Sequence, residues 1–158
     1  MIIDVLDHKY AKKIESVLYS SIKGLCIEDY TPSQINAWIR SCQSQINFKF
    51  LTLKEKVFGV TSLDTNELMG FVSIENSNLS LLYVHPDHVN KGVGTSLILK
   101  AIETIQNLGF KEVTAQVSIT AKPLFSKLGF EEVAKRSKFM QSQILVNFEM
   151  VYTIPELL

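Results

Sequence analysis

The stretch LLYVHPDHVNKGVGTSL, residues Leu81–Leu97, runs from an apolar strand through a proline-containing turn into Lys-Gly-Val-Gly and then directly into a helix. The first turn of a helix offers unpaired backbone N–H groups and the positive end of the helix dipole, so it attracts anions. Glycines let a phosphate approach that backbone closely, and Lys91 and Thr95 add a charge and a hydroxyl. The pattern therefore indicates a phosphate-binding turn, although a plain tight turn requires glycine just as often.

Two common nucleotide motifs do not match this loop. It has no Gly-Lys-Ser/Thr after four spaced residues, and Gly92-x-Gly94 lacks the third glycine of the dinucleotide fingerprint. The class of ligand therefore has to be inferred from the surrounding elements.

The segments before the loop predict strands. Residues 57–63, 68–75 and 79–84 are separated by short polar turns, which indicates an antiparallel meander that ends at the loop. Residues 79–84 are nearly all apolar, so we expect them to be covered on both faces of the sheet. After the loop, a helix with an apolar stripe runs from Val93 to a stop at Gly109.

Further elements extend the pattern to both ends of the chain. Thr31-Pro32-Ser33-Gln34 has the residues of a capping box, which predicts a short second helix over residues 32–41. The other predicted elements are a strand over 2–6, a helix after Asp7, a strand over 111–119, a short helix over 121–128, and strands from Phe130 and over 144–153. The order predicts one α/β (α+β) domain over residues 1–158, with a mixed sheet of about seven strands flanked by about four helices.

Composition narrows the classes of function. The 158 residues are 46% hydrophobic and 20% charged, typical of a globular domain, and 16 basic residues balance 16 acidic ones. Without a basic excess, nucleic acid is not an expected partner. Cys26 and Cys42 are too few and too widely spaced for a zinc cluster, so we expect no metal. With no signal peptide and no apolar run of about 20 residues, we expect a cytoplasmic protein without a membrane partner.

The loop and its surroundings resemble the GNAT superfamily of acetyl-CoA-dependent N-acetyltransferases. The pyrophosphate motif V-x-P-x-x-[QR]-x-x-G-x-[GA] is matched at Val84, Pro86, Gly92 and Gly94. Val89 stands where the family usually has Gln or Arg. SITAKPLFSKLGF at residues 118–130 resembles the second signature of the family, and DYTPSQINAW at residues 29–38 is similar to a bacterial YafP-like subgroup.

The resemblance implies that acetyl-CoA is the acetyl donor. In the family, two parallel strands separate to receive the pantetheine arm, and here they would be residues 79–84 and 113–118. The residues implied to bind the cofactor are Leu82, Tyr83, Val84, Val89, Asn90, Lys91, Gly92, Val93, Gly94, Thr95, Ser118 and Phe125. Most of these contacts would be made by backbone groups, so Val89 in place of Gln or Arg should weaken the cofactor site without abolishing it.

The resemblance also implies that an acceptor amine attacks the thioester directly, assisted by a base and an acid. Phe125 replaces the tyrosine that usually serves as the acid, and Ser80 replaces an acidic residue common in the subgroup. Glu75 is the candidate base, with a solvated strand-end carboxylate as the alternative. Tyr83 is the candidate acid, with a core tyrosine as the alternative.

The acceptor implied by the resemblance is an amine of a small molecule or a protein. Asp29, Tyr30 and Trp38 lie on a segment that usually forms a wall of the acceptor site, although Trp38 also fits an apolar helix stripe. Two alternatives stay open: an acyl-CoA-binding module with weak or lost catalysis, and an interaction protein whose glycine loop is only a turn. The alternating final strand, with Val151 exposed, would suit pairing in a homodimer.

Overall fold

The structure is a computed structural model that describes residues 1–156. Its strands are β1 Ile3–Val5, β2 Lys56–Thr61, β3 Leu68–Glu75, β4 Asn78–Val84, β5 Glu112–Ser118, β6 Glu131–Met140 and β7 Gln143–Thr153. Its helices are α1 Ala11–Leu25, α2 Pro32–Gln45, α3 Phe48–Lys54, α4 Val93–Asn107 and α5 Lys122–Lys127. The mixed sheet of seven strands confirms the predicted fold class.

The strands form one sheet in the order β1-β2-β3-β4-β5-β7-β6. Every neighbouring pair is antiparallel except β4 and β5, which are parallel and joined through α4. The β3–β4 hairpin turns at Asn76, whose φ of +54° is a left-handed conformation that asparagine tolerates. The parallel pair lies in the middle of the sheet, where a crossover helix covers it.

Helices cover both faces of the sheet, and each face has its own core. On one face, α1 and α2 pack against the sheet around the buried side chains of Ile14, Leu18, Ile22, Ile39, Phe71 and Leu145. On the other face, α4 packs around Leu97, Ile98, Ile105, Val113, Val117 and Met150. The apolar stripes predicted for α2 and α4 lie on the surfaces that these two helices bury. None of the helices in residues 1–156 has the length and apolar character needed to span a bilayer.

A β-bulge at Ser80 changes the course of β4. Ser73 of β3 pairs with Leu81 and Ile74 pairs with Leu79, so Ser80 has no partner across the hairpin. The extra residue reverses the alternation of side chains: Leu79 joins the α4 core, whereas Leu81 packs on the α1 and α2 side. After the bulge, the alternating side chains of β4 therefore face the opposite cores from those that they would face in a regular strand.

Beyond the bulge, β4 and β5 separate. Their pairing is restricted to Asn78 with Thr114 and Leu79 with Ala115, at the start of each strand. The side chains from Ser80 to Val84 are only partly buried as a result. The expectation that residues 79–84 are covered on both faces is therefore wrong beyond Leu79.

The helical connection between β1 and β2 is longer than the sequence predicts. α2 continues to Gln45 instead of ending near residue 41, and α3 follows it after one short loop. Asn47 caps α3 by accepting a hydrogen bond from the N–H of Phe50 at 3.0 Å. Because α3 buries only Phe48 and Leu51, its apolar pattern is too short to distinguish it from a loop.

The final strand has no free edge. β7 lies between β5 and β6 and pairs with both along its length, and Val151 is only partly exposed. The expectation that this strand could pair with a second copy is therefore wrong. The edge of the sheet at this side is β6, whose residues are mostly exposed.

The predicted capping box is present at the start of α2. Thr31 Oγ1 accepts a hydrogen bond from the N–H of Gln34 at 3.1 Å, and Gln34 Oε1 accepts one from the N–H of Thr31 at 2.9 Å. Gln34 Nε2 also donates to the carbonyl oxygen of Ile144 at 2.8 Å. The cap thus connects α2 to the start of β7.

Replacing Thr31 with Ala should lower the free energy of unfolding by about 1 kcal/mol, because the N–H of Gln34 loses its acceptor. Urea denaturation measures the difference. Thr31→Ser keeps the hydroxyl and should unfold close to the wild-type midpoint. Equal stability of the Ala and Ser variants would show that this cap contributes nothing.

Candidate active site

The separation of β4 from β5 opens a slot in the middle of the sheet. Ser80 and Tyr83 of β4 lie on one side of it, and Gln116 and Ser118 of β5 lie on the other. The strand edges that face the slot keep backbone N–H and C=O groups available for another extended chain. The slot can therefore accept a linear ligand that carries amide groups.

The loop after β4 leads to α4 at one end of this slot. Asn90 has a φ of +59° and Gly92 has a φ of +81°, left-handed conformations that turn neighbouring N–H groups toward one side. Gly92 is the N-cap of α4, and no side chain caps the helix. The N–H groups of Val93, Gly94 and Thr95 thus stay available to an anion.

Close packing behind the loop requires glycine at position 94. A Cβ atom there would lie 2.9 Å from Leu124 Cδ2 and 3.6 Å from Val84 Cγ2. At Gly92 no heavy atom lies within 4 Å of a Cβ position, so its backbone conformation is the constraint there. Lys91 between the two left-handed residues is exposed. The residues present therefore fit a diphosphate group at the helix N-terminus.

A cavity of about 280 Å³ lies on the α2 side of the slot. Residues of α2, β4, β5, β6 and β7 line it. Four of the predicted site residues come together there, namely Tyr30, Trp38, Tyr83 and Ser118. This volume is at the small end of the range for ligand pockets, so it suits a small molecule or a single side chain.

Tyr30 connects the wall of the cavity to the sheet. Its hydroxyl donates a hydrogen bond to the carbonyl oxygen of Val146 at 2.7 Å and accepts one from the N–H of Ile119 at 2.9 Å. Its ring packs edge-on against Trp38, with centroids 5.4 Å apart. Burial raises the pKa of Tyr30, although the N–H of Ile119 opposes the shift. Tyr30 is thus a structural bridge that holds the end of β5 next to β7.

Tyr83 projects from β4 into the cavity. Its ring lies 5.9 Å from that of Phe71, measured between centroids. Burial raises the pKa of its hydroxyl well above the ordinary tyrosine value, and the side chain of Trp38 opposes that shift. The hydroxyl therefore keeps its proton over the whole neutral and mildly alkaline range, and it is available as a hydrogen-bond donor.

Three other selected residues lie outside the cavity. Glu75 is at the β3–β4 hairpin, beyond the end of the slot, and its Oε1 atom lies 3.4 Å from Nζ of Lys54. Asp29 accepts a hydrogen bond from Thr120 Oγ1 at 2.7 Å. Phe125 is buried in the α4 core, edge-on against Phe130. Each of these three residues thus contacts another residue outside the cavity and does not line it.

The cavity is also lined by residues that the sequence pattern did not predict to belong to the site. Lys138 of β6 and Asn147 of β7 line it, together with Gln116 of β5 and Cys42 of α2. Only Asn147 carries a signal in the sequence, because it is a polar residue two positions after the buried Leu145 on one face of a strand.

A mixed sheet whose two parallel strands separate beside a glycine loop and an uncapped helix N-terminus defines the class of GNAT-type acetyltransferases. Residues 26–152 match the acetyltransferase (GNAT) domain family, and the chain belongs to this family. The family resemblance inferred from the loop is therefore confirmed.

The chain is similar to relatives from several organisms. It is 29% identical over 125 residues to the uncharacterized N-acetyltransferase YafP of Escherichia coli (strain K12), covering 79% of this chain and 77% of that protein. The crystal structure of a GCN5-related N-acetyltransferase from Rhodopseudomonas palustris superposes with a TM-score of 0.90 at 23% identity, covering 97% of this chain and 95% of that one. PaiA N-acetyltransferase from Thermoplasma acidophilum, crystallised in complex with coenzyme A, superposes with a TM-score of 0.74 at 21% identity. The match covers 97% of this chain and 99% of that one.

Replacing Tyr30 with Phe should lower the free energy of unfolding by roughly 1–3 kcal/mol, because the N–H of Ile119 and the carbonyl of Val146 lose a buried partner. Urea denaturation measures the loss. Tyr152→Phe is the matched control, since no hydrogen bond of that hydroxyl is present in the described residues. If both variants unfold at the same urea concentration, Tyr30 does not connect the strands as inferred.

Proposed function

We propose that this protein transfers the acetyl group of acetyl-CoA to the amine of a small molecule or a protein, by direct attack within a ternary complex. Membership of the acetyltransferase family supports this proposal. The observation that carries it is the position of the slot: β4 and β5 separate between the glycine loop and the cavity. A donor in the slot and an acceptor in the cavity would meet there.

Backbone groups would hold the donor. The free edge of Leu82, Tyr83 and Val84 would pair with the amides of the pantetheine arm. The N–H groups of the loop from Val89 to Thr95 would bind the diphosphate, next to the positive charge of Lys91. Because these are main-chain contacts, Val89 in place of Gln or Arg removes side-chain contacts and leaves the others. The coenzyme A bound to PaiA supports this choice of donor.

The side chains of the cavity would serve the transfer step. When bound, acetyl-CoA supplies a thioester carbon that an uncharged amine can attack. The hydroxyl of Tyr83, kept protonated by burial, would donate a hydrogen bond to the departing sulfur. In residues 1–156 no Asp or Glu side chain lines the cavity. The acceptor amine would therefore react in its neutral form and release its proton to water.

Gly92→Asp should abolish binding of acetyl-CoA, because it places a carboxylate beside the N–H groups that would hold the diphosphate. In the wild type, acetyl-CoA at a hundredfold excess over its dissociation constant should stabilise the protein by about 2.7 kcal/mol. Thermal unfolding with and without acetyl-CoA measures both effects.

Gly109→Asp is the matched control for this experiment. Gly109 has a φ of +93°, no heavy atom near its Cβ position, and a place at the opposite end of α4. Both substitutions therefore impose a similar backbone strain and add the same charge. Gly109→Asp should retain the shift with acetyl-CoA. A wild type that shows no shift, or a Gly92→Asp variant that retains it, would contradict the donor site.

Tyr83→Phe should lower kcat by about 10²-fold while leaving the thermal shift with acetyl-CoA unchanged, because it removes the hydrogen-bond donor to the departing sulfur and keeps the ring. Since burial raises the pKa of Tyr83, wild-type activity should not decline from loss of this proton up to about pH 10.

Glu75→Gln should keep the wild-type rate, as Glu75 pairs with Lys54 outside the cavity. Stopped assays of CoA release measure the rates of both variants and the pH dependence of the wild type. A large loss of rate in Glu75→Gln but not in Tyr83→Phe would show that Glu75, and not Tyr83, takes part in the transfer.

A further inference from the structure

An exposed lysine of β6 contributes a positive charge to the acceptor cavity. Lys138 lines it, and no acidic side chain of the described residues does. Lys138 also has no ion-pair partner in residues 1–156. Arg136, two residues earlier on β6, is already engaged by Glu149 through its Nε atom at 3.1 Å and through Nη2. The charge of Lys138 is therefore available to a ligand.

Cys42 shows that the charge of Lys138 acts on the cavity. Burial raises the pKa of the Cys42 thiol to about 11, and the positive charge of Lys138 opposes that rise. Both side chains line the cavity. With a pKa this high the thiol is uncharged near neutral pH, so it does not neutralise Lys138.

A hydrogen-bond acceptor without a partner lies near Lys138. Asn147 lines the cavity, and its Oδ1 atom is buried without a hydrogen bond within the described part of the chain. Lys138 pairs with Leu145 and Arg136 pairs with Asn147, so Lys138 and Asn147 are diagonal neighbours on one face of the β6–β7 hairpin. Such neighbours are roughly 7–8 Å apart. A buried oxygen without a partner costs free energy, which an N–H group of a ligand would recover.

We propose that the acceptor is a small amine that also carries an anionic group, a carboxylate or a phosphonate, a few bonds away from its nitrogen. Asn147 Oδ1 accepts a hydrogen bond from the amine, and Lys138 pairs with the anion. This assignment rests on the proposed acetyl transfer and names its substrate class. A polyamine would meet repulsion there without a compensating acid.

Four amines of similar length test the proposal: 4-aminobutyrate, 3-aminopropylphosphonate, butylamine and putrescine. Release of CoA from acetyl-CoA gives kcat/KM for each amine. We expect at least one of the two anionic amines to exceed butylamine by about tenfold, the effect of one charge-assisted contact, and putrescine to be the poorest. The ratio of the two anionic amines distinguishes a carboxylate from a phosphonate. Equal or better rates with butylamine or putrescine overturn the proposal.

Variants on β6 show whether Lys138 causes the preference. Lys138→Gln should remove the advantage of the anionic amines over butylamine, and Lys138→Glu should shift the preference toward putrescine. Lys135→Gln is the matched control: it removes one charge from the same strand, at a position paired with Phe148 on the other face of the sheet. An unchanged preference in Lys138→Gln, or the same loss in Lys135→Gln, overturns the role of Lys138.

Thermal unfolding separates this inference from the proposed function. In the presence of CoA, the preferred anionic amine should raise the melting temperature of the wild type and not of Lys138→Gln. Stabilisation by acetyl-CoA, with no preference for the anionic amines in rate or in melting temperature, overturns the acceptor assignment and leaves the transferase intact. Failure of acetyl-CoA itself to stabilise the protein overturns both.

Discussion

The bulge at Ser80 is the constraint on which the rest of the site depends. One unpaired residue bends β4 and reverses the side-chain alternation, so the strand can pair with β5 at Leu79 but not beyond it. Separated strands in the middle of a sheet leave backbone groups without partners, which is costly unless a ligand or water satisfies them. A slot of this kind therefore persists because other contacts hold the two strands in place.

Those contacts come from both cores. On the α4 side, Gly94 packs so closely on Leu124 that the helix begins directly against α5 and the end of β4. On the α2 side, the hydroxyl of Tyr30 joins Ile119, just after β5, to Val146 of β7. The far strand of the slot is thus fixed by β7 and by the α1–α2 connection, while the near strand is fixed by the β3 hairpin. The width of the slot therefore depends on packing on both faces of the sheet.

Much of this arrangement could be predicted from the sequence, because its main elements have strong local signals. The glycine loop, the capping box at Thr31 and the long stripe of α4 each depend on residues close together in the chain. The bulge at Ser80 has no such signal, since a serine in an apolar strand fits a regular strand equally well. The same limit applies to Glu75 and Lys138: their surroundings are set by partners on distant elements, which a local pattern does not contain.

The electrostatics of the cavity bear on how an amine could be activated there. A general base is needed when the acceptor enters as an ammonium ion, and it would have to be a carboxylate or a neutral imidazole near the slot. Within residues 1–156, the cavity instead combines the protonated hydroxyl of Tyr83 with a lysine that has no ion-pair partner, and both groups favour an electron-rich neutral ligand over a cation. Such a site would select the reactive form of the proposed amine acceptor on entry instead of generating it after binding. An acceptor with its own anionic group would supply the charge that makes this selection favourable, because its attraction to Lys138 would offset the cost of binding the less abundant neutral amine.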